Sequence, residues 1–399
     1  MKKFINNYYF YTSINLLDKF LLFLLPFIIL KFFNDNLTYN NIEYIYSIST
    51  IIAVGLDLGI KNYLLYSLKK SKKYSKDLNK ISKIFETYFL LFVILLIVPL
   101  VILNLNFEKI YLINFILLRS TYMMLFNFYK IYHRASDKPS VIFLFSTLNS
   151  ILTLSLIIFF NKNSIGLLNI FFLSQFLFIL IYLFSIIVIQ KNDLKIFKDL
   201  KIYIKKAFEF SWPLILSVII FNFTMNFGKI YTFNFLGENE MTSLSFTQRI
   251  LLIVILSHSI FSSYFQKKIY QSKDIIIDKN LIIKYLVLLT SILLIILFSY
   301  NELINFFNIN VQNSVILYFL SLHAFLWCFS SYLDIYLTKL NKNISILIYQ
   351  ILCLSVFLIF IYYSNLSFLI SFSIALNLYS CIYLILVVSK LKRMNCKIK

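Results

Sequence analysis

Lysine and arginine avoid every second gap between the hydrophobic runs of this chain, and that alternation limits what it can fold into. Lys69, Lys70, Lys72, Lys73, Lys76, Lys80 and Lys83 crowd the gap after the second run, whereas the gap after the third holds only Glu108 and Lys109. Cationic loops stay on the cytoplasmic side of a bilayer, so the pattern reads as a polytopic membrane protein. Composition agrees, because 60% hydrophobic against 14% charged residues is far from the balance of a soluble domain. A net charge of +21 would suggest nucleic acid as the partner of a soluble chain. Here it concentrates in the cytoplasmic loops and tail, where it sets topology and attracts the anionic heads of membrane lipids, and no nucleic-acid partner is expected.

A helix needs about 20 apolar residues to cross the hydrocarbon core. On that ruler an all-α chain of about twelve spans is predicted, the first six at Phe10 to Phe32, Tyr44 to Leu65, Phe85 to Leu105, Ile110 to Tyr129, Val141 to Phe160 and Gly166 to Ile189. The second six run Phe208 to Leu236, Met241 to Phe265, Leu281 to Tyr300, Val315 to Leu337, Ile344 to Tyr363 and Leu366 to Val388. The N-terminal run lacks a small-residue cleavage site and is expected to stay as a span. Both termini fall inside. The basic loop Lys191 to Lys206 divides the chain into two six-helix bundles, residues 1–196 and 197–399, and in each a large basic loop follows the second span. That repetition suggests a duplicated unit. The outer loops are short, so the activity is expected inside the bilayer or at its inner face.

Charged side chains within spans are costly and are functional candidates by default. Four are cationic: Lys19, Arg119, Lys229 and Arg249; Arg119 lies mid-span and cannot easily snorkel to an interface. At 100° per residue Ser211, Asn222, Asn226 and Lys229 share one narrow face of the seventh span, and Ser245, Arg249 and Ser263 one face of the eighth. Polar stripes also run along the fifth span (Ser146, Asn149, Ser150, Thr153), where interhelical hydrogen bonding is the expected role, and along the tenth (His323, Trp327, Ser330, Asp334). The acidic candidates are Asp18, Asp57, Glu209 and Asp334, of which Asp18, Asp57 and Asp334 could couple transport to an H+ or Na+ gradient. Cys328, Cys353, Cys381 and Cys396 match no zinc or redox spacing and are expected to pack. No Walker A, GxSxG or HExxH motif occurs, which points away from an enzyme and from an ATP-driven pump, and no cofactor is expected.

Three segments of the first half carry a family likeness: Leu25-Pro26-Phe27-Ile28-Ile29-Leu30-Lys31-Phe32-Phe33, then Ile42-Glu43-Tyr44-Ile45-Tyr46-Ser47, then Gly55-Leu56-Asp57-Leu58-Gly59-Ile60. Together they resemble the first two spans of O-antigen and capsule repeat-unit flippases, members of the multidrug/oligosaccharidyl-lipid/polysaccharide exporter superfamily. Phe210-Ser211-Trp212-Pro213-Leu214 and Phe235-Leu236-Gly237 resemble the start and end of that family's seventh span. The resemblance implies a MATE-like pair of bundles in a bacterial plasma (inner) membrane, rocking around a central cavity. It implies as cargo an undecaprenyl-diphosphate-linked oligosaccharide, and the polar, net positive faces of the spans make Lys19, Arg119, Asn222, Asn226, Lys229 and Arg249 the residues expected to bind such a polyprenyl-diphosphate-linked oligosaccharide. A polysaccharide polymerase and a chain-length regulator are the protein partners it suggests. One departure stands out: the family often places Asp before the basic residue at 229, where this chain has Gly228.

A multidrug exporter of organic cations, from the same superfamily, would call for an acidic cavity rather than four buried cations. A lipid II flippase usually carries two more spans than this chain has room for. A membrane oligosaccharide polymerase or glycosyltransferase needs a sizeable outer loop bearing arginines, and the outer loops here contain none. The topology is directly checkable. Single cysteines placed in the Lys69 to Lys83 and Lys191 to Lys206 loops of a cysteine-free variant should react with an impermeant maleimide only after cells are opened, and labelling of either in intact cells would overturn the assignment.

Overall fold

The computed structural model describes residues 2–33, 35–60, 63–64, 74–93, 110–135, 140–160, 166–189, 195–271, 276–277, 279–307, 309, 315–394 and 397–398. Among them are twelve helices: α1 Lys2–Phe33, α2 Asn36–Leu56, α3 Tyr74–Phe92, α4 Ile110–Ala135, α5 Ser140–Phe160, α6 Leu167–Ile189, α7 Lys195–Phe235, α8 Glu238–Gln271, α9 Lys279–Phe307, α10 Val315–Lys339, α11 Asn343–Tyr363 and α12 Phe368–Arg393. Two short strands, β1 Ile276–Ile277 and β2 Lys397–Ile398, pair in parallel and tie the C-terminal tail to the segment between α8 and α9. Helices α6 to α12 each contain a stretch long and apolar enough to cross a membrane. This is the all-α polytopic class expected. Hydrocarbon offers backbone groups no hydrogen bonds, so every crossing segment satisfies its own by coiling into helix.

The chain divides into two compact units, Met1–Ile215 and Leu216–Lys399. Within the first, α2 packs on α4, α4 on α5 and α6, and α5 on α1 and α6. Within the second, α8 packs on α10, α10 on α11 and α12, and α11 on α12. The pairings 2 with 4, 4 with 5, 4 with 6 and 5 with 6 recur six helices later, which is what duplication of a six-helix unit would leave behind. Helix faces follow the same solvent logic. Ile344, Ile348, Ile351, Leu352 and Ile359 form an exposed apolar stripe on α11, suited to lipid tails, while Cys353 and Phe357 turn inward.

Several helices begin outside the apolar runs. α2 starts at Asn36 rather than Tyr44, because Asp35 caps it, accepting 2.8 Å from the Thr38 amide and 2.6 Å from the Thr38 hydroxyl. The first turns Asn36 to Asn40 are polar and so invisible to a hydropathy window. α3 and α7 likewise start within basic segments, at Tyr74 and Lys195. Pro26 lies inside α1 and Pro213 inside α7, and both helices continue through them.

The second span ends earlier than its apolar run, at Leu56 rather than Leu65, and the cause is local. Leu58 and Gly59 both take left-handed backbone angles, φ 45° and 72°. Three side chains hold the break. Asp57 Oδ1 accepts from the Gly59 amide at 2.7 Å, Tyr88 of α3 donates to the Leu56 carbonyl at 2.6 Å, and Ser211 of α7 donates to the Gly59 carbonyl at 3.0 Å. A Cβ on Gly59 would collide with the Ser211 side chain. Gly59→Ala should therefore lose about 1–2 kcal/mol through its backbone angle alone, with the collision added, and a clear drop in the melting temperature of purified protein is expected; unchanged melting would show the break to be unstrained.

Candidate functional site

In the N-terminal unit the polar interior is built around Arg119. Ser49 of α2 donates to the Ile116 carbonyl at 3.1 Å, and Ser120 donates to the same carbonyl at 2.6 Å. These contacts bind α2 to α4 one turn from Arg119 and fix its stem. The guanidinium then lies over the Tyr46 ring, 4.2 Å from its centroid, and 5.2 Å from that of Tyr122. Arg119 is 8% exposed, and its Nε is buried with no hydrogen-bond partner among the described residues. Ring faces stabilise a cation by about 0.5–2 kcal/mol but supply no oxygen acceptor for its N–H groups. Such a group is completed by a hydrogen-bond acceptor, most strongly by a charged one.

The fifth-span stripe surrounds this centre and serves cohesion, as expected. Thr153 Oγ1 and Ser174 Oγ of α6 are 2.6 Å apart, and Asn149 donates to Tyr122 Oη at 3.3 Å. Ser146 Oγ, Asn149 Oδ1 and Gln175 Oε1 remain buried without hydrogen-bond partners among the described residues.

The C-terminal unit holds Lys229 on α7 and Arg249 on α8, 6% and 4% exposed. Gln248 of α8 donates to the Met225 carbonyl of α7 at 3.4 Å, one turn from Lys229, so the two cations belong to neighbouring stretches of adjoining helices. Gly228 also gains a reason. A Cβ there would strike the Phe372 ring of α12, so the residue before Lys229 is kept small by packing and leaves no room for the Asp of the family pattern.

Asn222 and Asn226 each donate one amide hydrogen bond to their own helix, to the Val218 carbonyl at 2.9 Å and the Asn222 carbonyl at 2.8 Å. Ser211 shares their helical face but is engaged with Gly59 inside the N-terminal unit. Asp57 is absorbed into the α2 break. Glu209 is exposed and paired at 3.9 Å with Lys205. Lys19 and Asp18 lie on α1, but their side chains, like that of Ser263, are outside the described residues. Cys328 and Cys353 are buried free thiols and Cys381 a half-buried one, while Cys396 lies outside the described residues.

Asp334 accepts from Tyr383 of α12 at 2.7 Å through Oδ2, while its Oδ1 is buried with no hydrogen-bond partner among the described residues. Sequence reasoning found Asp334 but not Tyr383, nor the two tyrosines under Arg119. In a chain with 29 Tyr and 44 Phe, an aromatic at a given position carries almost no signal. Glu43, buried on α2, was passed over as part of a motif.

A polytopic bundle with cations buried in both units is the class this geometry defines. No protein-family model and no curated protein matches the chain. Solved structures do. A mutant of the Vibrio cholerae MATE transporter VcmN superposes with TM-score 0.66 at 14% identity, over 98% of both chains. An outward-facing multidrug resistance MATE family transporter of the MOP superfamily gives TM-score 0.62 at 14% identity, covering 98% of this chain and 97% of that one. The MATE multidrug transporter DinF-BH gives 0.60 at 14%, over 97% and 96%. The chain has the MATE fold.

Because the guanidinium rests on a ring face, Tyr46→Leu and Arg119→Gln should each lower the melting temperature and should not add. A coupling of about 0.5–2 kcal/mol is expected in the double-mutant cycle; simple additivity would remove the stacking from the account of this site.

Proposed function

We propose that this protein is a transporter of the MATE type whose cargo is anionic, a polyprenyl-diphosphate-linked oligosaccharide carried from the inner to the outer leaflet of a bacterial plasma membrane. The observation that carries this reading is Arg119, buried among aromatic rings with no carboxylate partner among the described residues. Lys229 and Arg249 add two buried cations to the second unit. A diphosphate cannot enter a low-dielectric site without positive, hydrogen-bonding partners, and guanidinium suits it because its donors are planar and paired. The tyrosines beside Arg119 would also give sugar rings an apolar face. Polar cargo cannot cross hydrocarbon unaided, so alternating exposure of the site is the mechanism in keeping with the fold, and Asp334 is the residue we favour for coupling it to an H+ or Na+ gradient.

A second reading has its own support. Two of the solved structures above are described as multidrug transporters, which favours an exporter of drugs or organic cations. At 14% identity that likeness extends to the fold alone, and buried arginine and lysine oppose a cationic cargo. A polymerase or glycosyltransferase has no such support.

The two separate cleanly in cells. Arg119→Gln introduced at the chromosomal locus should lower surface polysaccharide at least tenfold with the protein still present at its normal level in the membrane, and should leave accumulation of a cationic dye unchanged. Normal polysaccharide combined with raised dye accumulation would reverse the choice in favour of the exporter.

A further inference from the structure

The face of α10 that meets α12 in the C-terminal unit is polar along most of its length. His323 Nδ1 lies 3.0 Å from the Leu376 carbonyl and 2.7 Å from Ser380 Oγ, while Nε2 lies 2.7 Å from Met225 Sδ on α7. Eleven residues further along α10, Asp334 takes its hydrogen bond from Tyr383. Asn377, Ser380 and Tyr383 follow one another at intervals of three on α12, so their side chains share a face with a rise of about 4.5 Å per step. One water spans such a step, since two hydrogen bonds through it reach about 5.6 Å.

That seam has unmet hydrogen-bonding capacity. Asp334 Oδ1, Asn377 Oδ1, Ser321 Oγ and the Tyr379 hydroxyl on α10 and α12, with Gln350 Oε1 on the adjoining α11, are buried without a hydrogen-bond partner among the described residues. Leaving one such group unsatisfied costs about 1–3 kcal/mol, so four on one helix pair call for an occupant. The economical occupant is water, which donates twice and needs two to four polar partners. The surroundings of His323 suit both protonation states: a neutral ring donates from Nε2 to the thioether and accepts at Nδ1 from the Ser380 hydroxyl, whereas an imidazolium donates to the Leu376 carbonyl and to the thioether.

We propose that the α10–α12 seam is a buried proton path, in which ordered water joins the Asp334 carboxylate to His323. A proton arriving from the inner end binds Asp334 at Oδ1, the oxygen that Tyr383 leaves open. It leaves as that O–H bond breaks toward water, passes between the hydroxyls of Tyr379 and Ser380, and ends as an N–H bond on His323. One proton is released and one is taken up, and nothing is oxidised or reduced. The helical distance from Asp334 to His323 is about 16 Å, within reach of a chain of about five waters and hydroxyls.

The buried titratable and charged groups on the helices packed against α10 are Lys229 of α7, Arg249 and His258 of α8, Tyr285 and Tyr300 of α9, Cys353 of α11, and Tyr379 and Tyr383 of α12. Lys229 is one turn from Met225 and opposes a charged His323. An anion arriving beside Lys229 would relieve that opposition, so cargo charge and proton occupancy would rise together. The path itself goes beyond the transport reading and stands without any choice of cargo.

The test uses full-length protein in lipid nanodiscs without cargo. The chain has three histidines, so 15N-histidine labelling in a His133→Gln, His258→Gln background leaves one imidazole to follow; loss of the signal in His323→Gln assigns it if that background folds poorly. Two readouts are expected: protonation of His323 as pH falls, and imidazole proton exchange slowed about tenfold by Tyr383→Phe and by Ser380→Ala. Both substitutions are neutral, so slowing reports a broken path rather than a changed field. Asp334→Asn should additionally abolish a pH-dependent protonated-carboxyl stretch in the infrared difference spectrum. A His323 that stays neutral, or exchange altered less than threefold in both neutral variants, would overturn the path, whereas the cargo assignment fails only with the polysaccharide measurement.

Discussion

The absence of hydrogen-bonding solvent in hydrocarbon governs most of what is seen in this molecule. Each polar group inside the bilayer must find a partner in the chain or in something the chain binds. Most serine and threonine hydroxyls accept the local solution and donate to the carbonyl one turn back, as Ser150 does to Ser146, Thr224 to Ile220 and Thr247 to Ser243. Such residues are polar by composition and silent by function. Where the helix itself is broken, at Asp57 to Gly59, three separate side chains are drawn in to serve the exposed backbone groups. The exceptions are informative for the same reason: Arg119 Nε, several oxygens around the fifth span and those of the α10–α12 seam are among the buried groups without a hydrogen-bond partner among the described residues.

Much of the architecture was legible because charge and hydropathy are properties of long segments. Twelve apolar runs became twelve helices, and the polar stripe of the fifth span became a set of hydrogen bonds between α4, α5 and α6. Helix ends were harder. A window that averages hydropathy cannot see a turn such as Asn36 to Asn40, which is helical because Asp35 caps it although three of its five residues are Asn or Thr. It also misread Leu58, whose apolar side chain extended the second run although its backbone ends the helix. Site residues divided along the same line. Arg119 was legible because an arginine amid apolar residues is conspicuous; Tyr46, Tyr122 and Tyr383 were not, since their roles depend on which helices meet.

The sequence face joining Ser211, Asn222, Asn226 and Lys229 also looked more uniform than it is. A helical projection records direction but not neighbours. Ser211 is taken by the Gly59 carbonyl and the two asparagines each turn an amide hydrogen bond back on α7, so the stripe does not act as one polar surface. Gly228 sharpens the point. A Cβ at that position would strike the Phe372 ring, so the residue before Lys229 is kept small by packing.

The two units repeat one set of helix pairings, yet their interiors have diverged in chemistry. The N-terminal unit buries an arginine against tyrosine rings. In the C-terminal unit the pair α10 with α12, which corresponds to α4 with α6, holds two titratable side chains, Asp334 and His323. A fixed charge discriminates among ligands, whereas a titratable pair exchanges protons with the surroundings. Duplication supplies two copies of a scaffold in which helix packing is already solved, so substitutions in each interior are free to serve different ends. The requirement that every buried polar group be satisfied then limits which substitutions each interior can hold.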